Sequence, residues 1–227
     1  MSATEALRVE HRRDLDPYKL GRGAGGGRFD DSTGYAEGGP ASKRVIVGYG
    51  FWLFLLSDIV LFSCLFAAHA VLRDATAGGP AGPQLFDPQS IVIETACLLI
   101  SSFTCGLSAV AAEARDQLWT QVSLAVTGLL GAAFLFFEAR DFASMVARGA
   151  GPQVSAYWSS FFAVVGCHGC HVTVGLLWLG TMMAQIFFKG FRPAIMRRLL
   201  CFNLFWHFLD IIWVALFTIV YLIGQGR

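Results

Sequence analysis

The sequence is short of charge and has none of the common catalytic signatures. Asp, Glu, Lys and Arg make up 15% of its 227 residues and nearly cancel, leaving a net +1. Bulk charge therefore gives no purchase to nucleic acid or to an acidic partner. There is no P-loop, no G-x-S-x-G and no H-E-x-x-H, and no stretch is long and polar enough for a sizeable soluble domain. Little room is left outside a membrane for substrate chemistry. Alternation with period two, the mark of a barrel strand, is missing, and so is any internal repeat.

What the chain has instead is apolar surface. Hydrophobic residues are 55% of the total, Phe alone occurs 20 times, and the mean hydropathy is +0.57. Five apolar runs lie at about 46–72, 90–112, 118–139, 156–188 and 199–224. A helix needs about 20 apolar residues to cross a hydrocarbon core of about 30 Å. Only helices and closed barrels satisfy the backbone in lipid. The expected fold is all-α, an integral membrane bundle of five transmembrane helices. The fourth run is longer than a crossing requires and is expected to tilt or to project.

Residues 1–44 are polar and rich in Gly, with GRGAGGG at 21–27 and acids and bases interleaved. Such a tail cannot bury enough apolar surface to fold alone and is expected to be disordered. A charged, Gly-rich stretch of this length ahead of the first apolar run is not a signal peptide. The division is thus a 1–44 tail and a 45–227 membrane domain. Basic residues set the orientation. With the N-terminus cytoplasmic, the inside holds the tail, Arg115 and the loop KGFRPAIMRR with Lys189, Arg192, Arg197 and Arg198; the outside holds Arg73, Arg140, Arg148 and Arg227. The C-terminus is then periplasmic.

Cys64, Cys97, Cys105, Cys167, Cys170 and Cys201 all fall within apolar runs, where thiols act as small hydrophobes, and no disulfide is expected. Two of them form CHGCH at 167–171, which reads literally as a c-type haem attachment site. Covalent attachment needs accessible thiols on a flexible segment, and this one lies about twelve residues inside the fourth helix. A second haem reading uses paired imidazoles from facing helices. Of His69, His168, His171 and His207, the pair His168 and His171 shares one helix face, and His207 is the available partner for it.

The intramembrane polar set is Asp58, Glu94, Glu138, His168, His171, His207 and Asp210. An unpaired charge at the bilayer centre costs about 2.5–3.5 kcal/mol on insertion scales. These groups are therefore expected to face the protein interior and to bond across helices, with His207 and Asp210 placed i, i+3 for pairing within the fifth helix. Asp58 must find its partner on another helix or in a lipid headgroup. Proton transfer is the sharper reading of the set, and packing ranks above it. Gly166, Gly169 and Thr173 on the fourth helix, and Gly128 and Gly131 on the third, suit close helix approach. The clusters YWSSFF, LFWHF and IIW suit interface belts and helix contacts, ahead of a quinone cage.

Three segments carry a resemblance: GFWLFLLSDIVLF, GCHGCHVTVG and FWHFLDIIWVALFTIVYL. They resemble the signature segments of subunit III of the haem–copper terminal oxidases. The fourth-helix pattern G-x-H-G-x-H-V is met by Gly166, His168, Gly169, His171 and Val172. The last-helix pattern W-H-F-x-D-x-x-W is met by Trp206, His207, Phe208, Asp210 and Trp213. The cysteines of CHGCH fall on variable positions of the first pattern, which turns that motif away from haem c. The resemblance runs from about residue 48 to 224. Five helices and the loop TAGGPAGPQLFDP at 76–88 are similar to the bo-type ubiquinol oxidase branch. Asp58 stands where many cytochrome c oxidase members carry a carbodiimide-reactive Glu.

The resemblance implies a non-catalytic subunit of a proton-pumping oxidase in the bacterial inner membrane, with no catalytic, cofactor-binding or metal-binding residue on this chain. It implies direct contact with subunit I, with subunits II and IV in the same complex, and bound phospholipids. Haem b, haem o or a, copper and ubiquinol are expected in those other subunits. In this reading the polar set supports packing, lipid contact or proton-linked roles, and Gly166, Gly169, Trp206 and Trp213 serve helix packing. The alternatives are subunit III of a cytochrome c oxidase or of a nitric oxide reductase-associated homologue, and, in a different class, a haem-b electron carrier.

Overall fold

A computed structural model of the chain describes residues 43–77 and 88–222, apart from the side chain of Leu222. The 1–44 tail (but for its last two residues), most of the 76–88 loop and the end of the fifth run lie outside the described residues. Two units divide between Gly50 and Phe51. The described part of the first is Lys43–Gly50, two helical turns; the following account concerns the second.

The helices among the described residues are α1 (Lys43–Leu72), α2 (Pro88–Glu113), α3 (Gln117–Ala147), α4 (Ala156–Lys189) and α5 (Pro193–Leu216). A π-helical segment, Phe217–Leu222, prolongs α5. All five helices are long and apolar enough to cross a membrane, and no strand occurs among the described residues.

The helix ends follow local chemistry. Asp116 caps α3, its carboxylate accepting from the backbone N–H of Leu118 at 3.1 Å and of Trp119 at 3.2 Å. Ser155 caps α4 by accepting from Trp158 N–H. Such caps satisfy N–H groups that the helix itself leaves free. Gly190 ends α4 with φ +63°, a left-handed conformation that glycine adopts without strain. Pro193 opens α5 at a position where its missing N–H costs nothing. Two ends depart from the hydropathy reading. α3 runs to Ala147, not 139, because beyond the polar Arg140 and Asp141 the helix still buries Met145. α5 begins at 193, not 199, because Pro193 starts the helix inside the basic stretch and Ile195 is already buried.

Four helices close a ring in which α2 packs on α3, α3 on α4, α4 on α5 and α5 on α2. Each buries a seam with alternating steps of three and four. On α2 it is Ile91, Glu94, Leu98, Ser101, Cys105, Ser108 and Ala112. On α3 it is Thr120, Leu124, Thr127, Gly131, Phe134 and Glu138. On α5 it is Ile195, Leu199, Phe202, Trp206, Leu209, Trp213 and Leu216. A seam of this period keeps facing its neighbour along left-handed pairs. Hydrophobic residues turned away, such as Phe103, Leu129, Leu177 and Phe188, are among the most exposed and match a lipid surroundings. α1 buries only Leu55, Asp58, Phe62 and His69. It meets α4 through Phe51 on Trp178, Phe62 on His171, and His69 Nδ1 beside Ser160 Oγ at 3.0 Å.

Trp206 fills the ring's interior. A Cβ on Gly131 would stand 2.9 Å from its Cη2, and one on Gly175 3.0 Å from its Cζ3. The indole is therefore gripped between α3 and α4, and its N–H donates to Ser101 Oγ of α2 at 3.1 Å. Gly131→Val should lower stability in detergent by about 1–3 kcal/mol, the usual cost of overpacking. Gly180→Ala, where a Cβ meets nothing within 4 Å, should be neutral or gain up to about 1 kcal/mol. Thermal unfolding followed by circular dichroism checks both; equal midpoints for the two variants would contradict the packing.

Candidate functional site

The polar set falls into three places. The first is the seam between α2 and α5. Polar α2 side chains there meet the tryptophans and the histidine of the last helix. Trp206 bonds Ser101, and Trp213 donates to Thr95 Oγ1 at 3.1 Å. Ser102 Oγ lies 2.7 Å from His207 Nδ1, and Cys105 donates to Asn203 Oδ1 at 3.3 Å. Buried indole N–H groups need an acceptor, and the α2 hydroxyls supply it. His207 thus turns towards α2, where a Cβ added at Gly106 would meet its ring at 3.9 Å, an ordinary contact. Asp210 lies one turn further on, its Oδ1 lacking a hydrogen-bond partner among the described residues.

The second place is the ring's interior. His168 is fully buried, with ring centroids of Phe134 at 5.7 Å, Trp213 at 5.3 Å and Phe62 at 6.5 Å. Aromatic rings from three helices enclose the imidazole. Next to it, Gly169 faces Glu138 of α3, and a Cβ there would come within 2.8 Å of Glu138 Oε2. The glycine is the recess into which the carboxyl group fits. Glu94 and Glu138 are both buried, and each has one carboxyl oxygen without a hydrogen-bond partner among the described residues. Gly166 sits more loosely: a Cβ there would meet only Phe142, at 3.8 Å.

The third place is a cleft of ≈ 380 Å³ between α1, α4 and α5. Its lining is Phe51, Phe54, Val174, Trp178 and Phe205, with Asp58, Cys170 and His171 as the polar exceptions. His171 Nδ1 lies 2.7 Å from the Cys167 carbonyl, a contact within one helix. As donor there, Nδ1 leaves Nε2 as the acceptor. Asp58 and His171, far apart in sequence, thus border the same mostly apolar space.

Thr95, Ser101 and Ser102 were not singled out in the sequence, and neither were Gly175 nor the His69–Ser160 contact. Isolated hydroxyls in an apolar helix were the available signal, since such groups bond across helices. Two outcomes are expected of this geometry. Gly169→Ala should destabilise the bundle, and Glu138→Ala should recover part of the loss when both are present. A double-mutant cycle in detergent measures this, and simple additivity would contradict the fit. Cys167→Ala with Cys170→Ala should leave folding unchanged, because neither thiol is fully buried; an unfolded double variant would contradict it.

With this arrangement in view, comparison with known proteins is informative. Residues 36–225 match the family described as cytochrome c oxidase subunit III. The chain is 48% identical over 176 residues to a cytochrome bo(3) ubiquinol oxidase subunit 3 of Pseudomonas aeruginosa, covering 78% of this chain and 84% of that one. It is 46% identical over 175 residues to the protein of the same name from Pseudomonas putida, covering 77% and 84%. It is 44% identical over 182 residues to a quinol oxidase subunit 3 of Bacillus subtilis, covering 78% and 87%. Five apolar spanning helices and these relatives make it a multi-pass bacterial membrane protein. The chain belongs to the cytochrome c oxidase subunit III family.

Proposed function

We propose that this protein is subunit III of a bacterial ubiquinol oxidase of the haem–copper type, and that it supports the catalytic subunit without doing electron chemistry itself. Membership of the family places it in a multi-subunit oxidase. The ubiquinol branch is supported by the relatives, which are named for quinol oxidation. The observation that carries the supporting role is the use made of the two signature segments. Trp206 sits between two glycines, Trp213 bonds Thr95, and Gly169 makes room for Glu138. Those residues spend their shape and hydrogen bonds on helix packing. His168, enclosed by Phe62, Phe134 and Trp213, presents no open ring face to a porphyrin.

In this reading subunit I is the direct partner and holds haem b, haem o or a, and copper, with ubiquinol oxidised in the rest of the complex and subunits II and IV present. The N-terminus is cytoplasmic and the C-terminus periplasmic, which puts Lys189, Arg192, Arg197 and Arg198 on the cytoplasmic side. The cleft at Asp58 is open enough to receive a phospholipid chain.

Affinity purification through this chain in mild detergent tests the proposal. The preparation should contain a larger haem-bearing polypeptide and should consume oxygen with ubiquinol, not with reduced cytochrome c. Recovery of an oxidase lacking this chain, or of haem on the chain alone, would contradict it. Asp58→Asn should leave the initial rate of oxygen reduction per haem unchanged and shorten the time over which turnover is sustained. An immediate loss of rate at normal complex abundance would contradict a supporting role.

A further inference from the structure

The cleft between α1, α4 and α5 brings two polar groups to the edge of an apolar space. Asp58 lines it, is 9% exposed, and has its Oδ2 without a hydrogen-bond partner among the described residues. His171 lines it from α4 and is half-buried. Its Nδ1 is taken up by the Cys167 carbonyl at 2.7 Å, so the neutral ring keeps Nε2 as an acceptor. The other walls are apolar and largely aromatic, with Phe51, Phe54, Trp178 and Phe205. Phe54, Val174 and Cys170 are exposed, so the cleft opens sideways, towards lipid.

Depth decides what can answer those groups. Asp58 lies about 21 Å along α1 from Leu72, and His171 about 22 Å along α4 from Ala156. Both stand well inside helices long enough to cross a membrane. A phospholipid keeps its headgroup at the surface. The acyl chain that reaches this depth has no hydrogen-bonding group, and polar side chains left to hydrocarbon are costly. A quinol differs in kind. It carries phenolic hydroxyls on a ring with an isoprenoid tail, and the whole molecule enters the hydrocarbon core. A hydroxyl donates to an imidazole nitrogen and bonds a carboxyl group in either protonation state. The ring suits aromatic walls, which pack on it offset or edge-on. The cleft volume of ≈ 380 Å³ falls within the roughly 300–1,000 Å³ of small-molecule sites.

Resting on the reading of this chain as part of a ubiquinol oxidase, we propose that the cleft between α1, α4 and α5 is a ubiquinol-binding site, with a hydroxyl at Asp58 and His171 Nε2 and the ring among the aromatic side chains. The tail leaves past Phe54 into the bilayer. It is a holding site. Oxidation takes place elsewhere in the complex, so the initial rate per haem does not depend on its occupancy.

The test uses the intact complex in its native membrane, irradiated without oxygen in the presence of an azido-ubiquinol. Label should appear on this chain, in the α1 and α4 peptides that hold Asp58 and His171. Excess short-chain ubiquinol should displace it and excess phosphatidylglycerol should not. His171→Leu should lower the label per chain by about three- to tenfold, the worth of one intramembrane hydrogen bond, and His171→Gln, which keeps an acceptor, should restore most of it. Label confined to other oxidase polypeptides would overturn the proposal. So would label on α1 and α4 that phosphatidylglycerol displaces equally well, which makes the cleft a seat for acyl chains. If no polypeptide takes quinol-displaceable label and the preparation does not consume ubiquinol, the oxidase reading fails first and this inference with it.

Discussion

The indole of Trp206 is the contact on which the four-helix ring depends. It arises from α5, fills the recess over Gly131 of α3 and Gly175 of α4, and donates its N–H to Ser101 of α2. One side chain thus fixes the spacing of three neighbours. The two glycines have to be glycines, since a Cβ at either would stand within 3.0 Å of the ring. In a membrane no hydrophobic effect drives helices together, so close packing and buried hydrogen bonds carry association. Trp213 repeats the device two turns later, stacking edge-on against Phe134 at 4.7 Å and bonding Thr95.

Around these anchors the polar side chains divide by what surrounds them. Several on the ring's own seams are consumed within it, Ser101 by Trp206, Thr127 by Thr104, Asn203 by Cys105 and the Leu199 carbonyl, whereas Glu94 and Glu138 each keep one oxygen unpartnered among the described residues. Asp58 borders the apolar cleft, and Asp210 keeps a buried Oδ1 without a hydrogen-bond partner among the described residues. Family membership and the quinol oxidase relatives place the chain in a multi-subunit oxidase.

Much of this was legible in the sequence. Five runs of apolar residues long enough to span lipid gave the helices, and W-H-F-x-D-x-x-W with G-x-H-G-x-H-V pointed to the family. The helix ends were less so. Arg140 and Asp141 look like a stop in a hydropathy profile, yet α3 continues to Ala147 because the helix still has Met145 to bury. The basic stretch before 199 looks like loop, although Pro193 at a helix start was there to be read. Pairing between helices was not legible. His207 and Asp210, i, i+3, do interact within α5, but the Ser102 contact of His207 lies 105 residues away in sequence. Nothing local to α5 selects that partner, which follows from how α2 lies against α5. Likewise Gly169 reads as a small residue for helix approach, and only the fold reveals that it accommodates Glu138.

The central claim is that the signature residues of this chain act by packing and not by chemistry. Trp206→Ala in the intact oxidase tests it most directly, with oxygen consumption measured per haem and chain content measured in the same preparations. The account predicts fewer complexes that hold the chain, and a normal initial rate per haem in those that do. A depressed rate in complexes that retain the chain at full occupancy would contradict it.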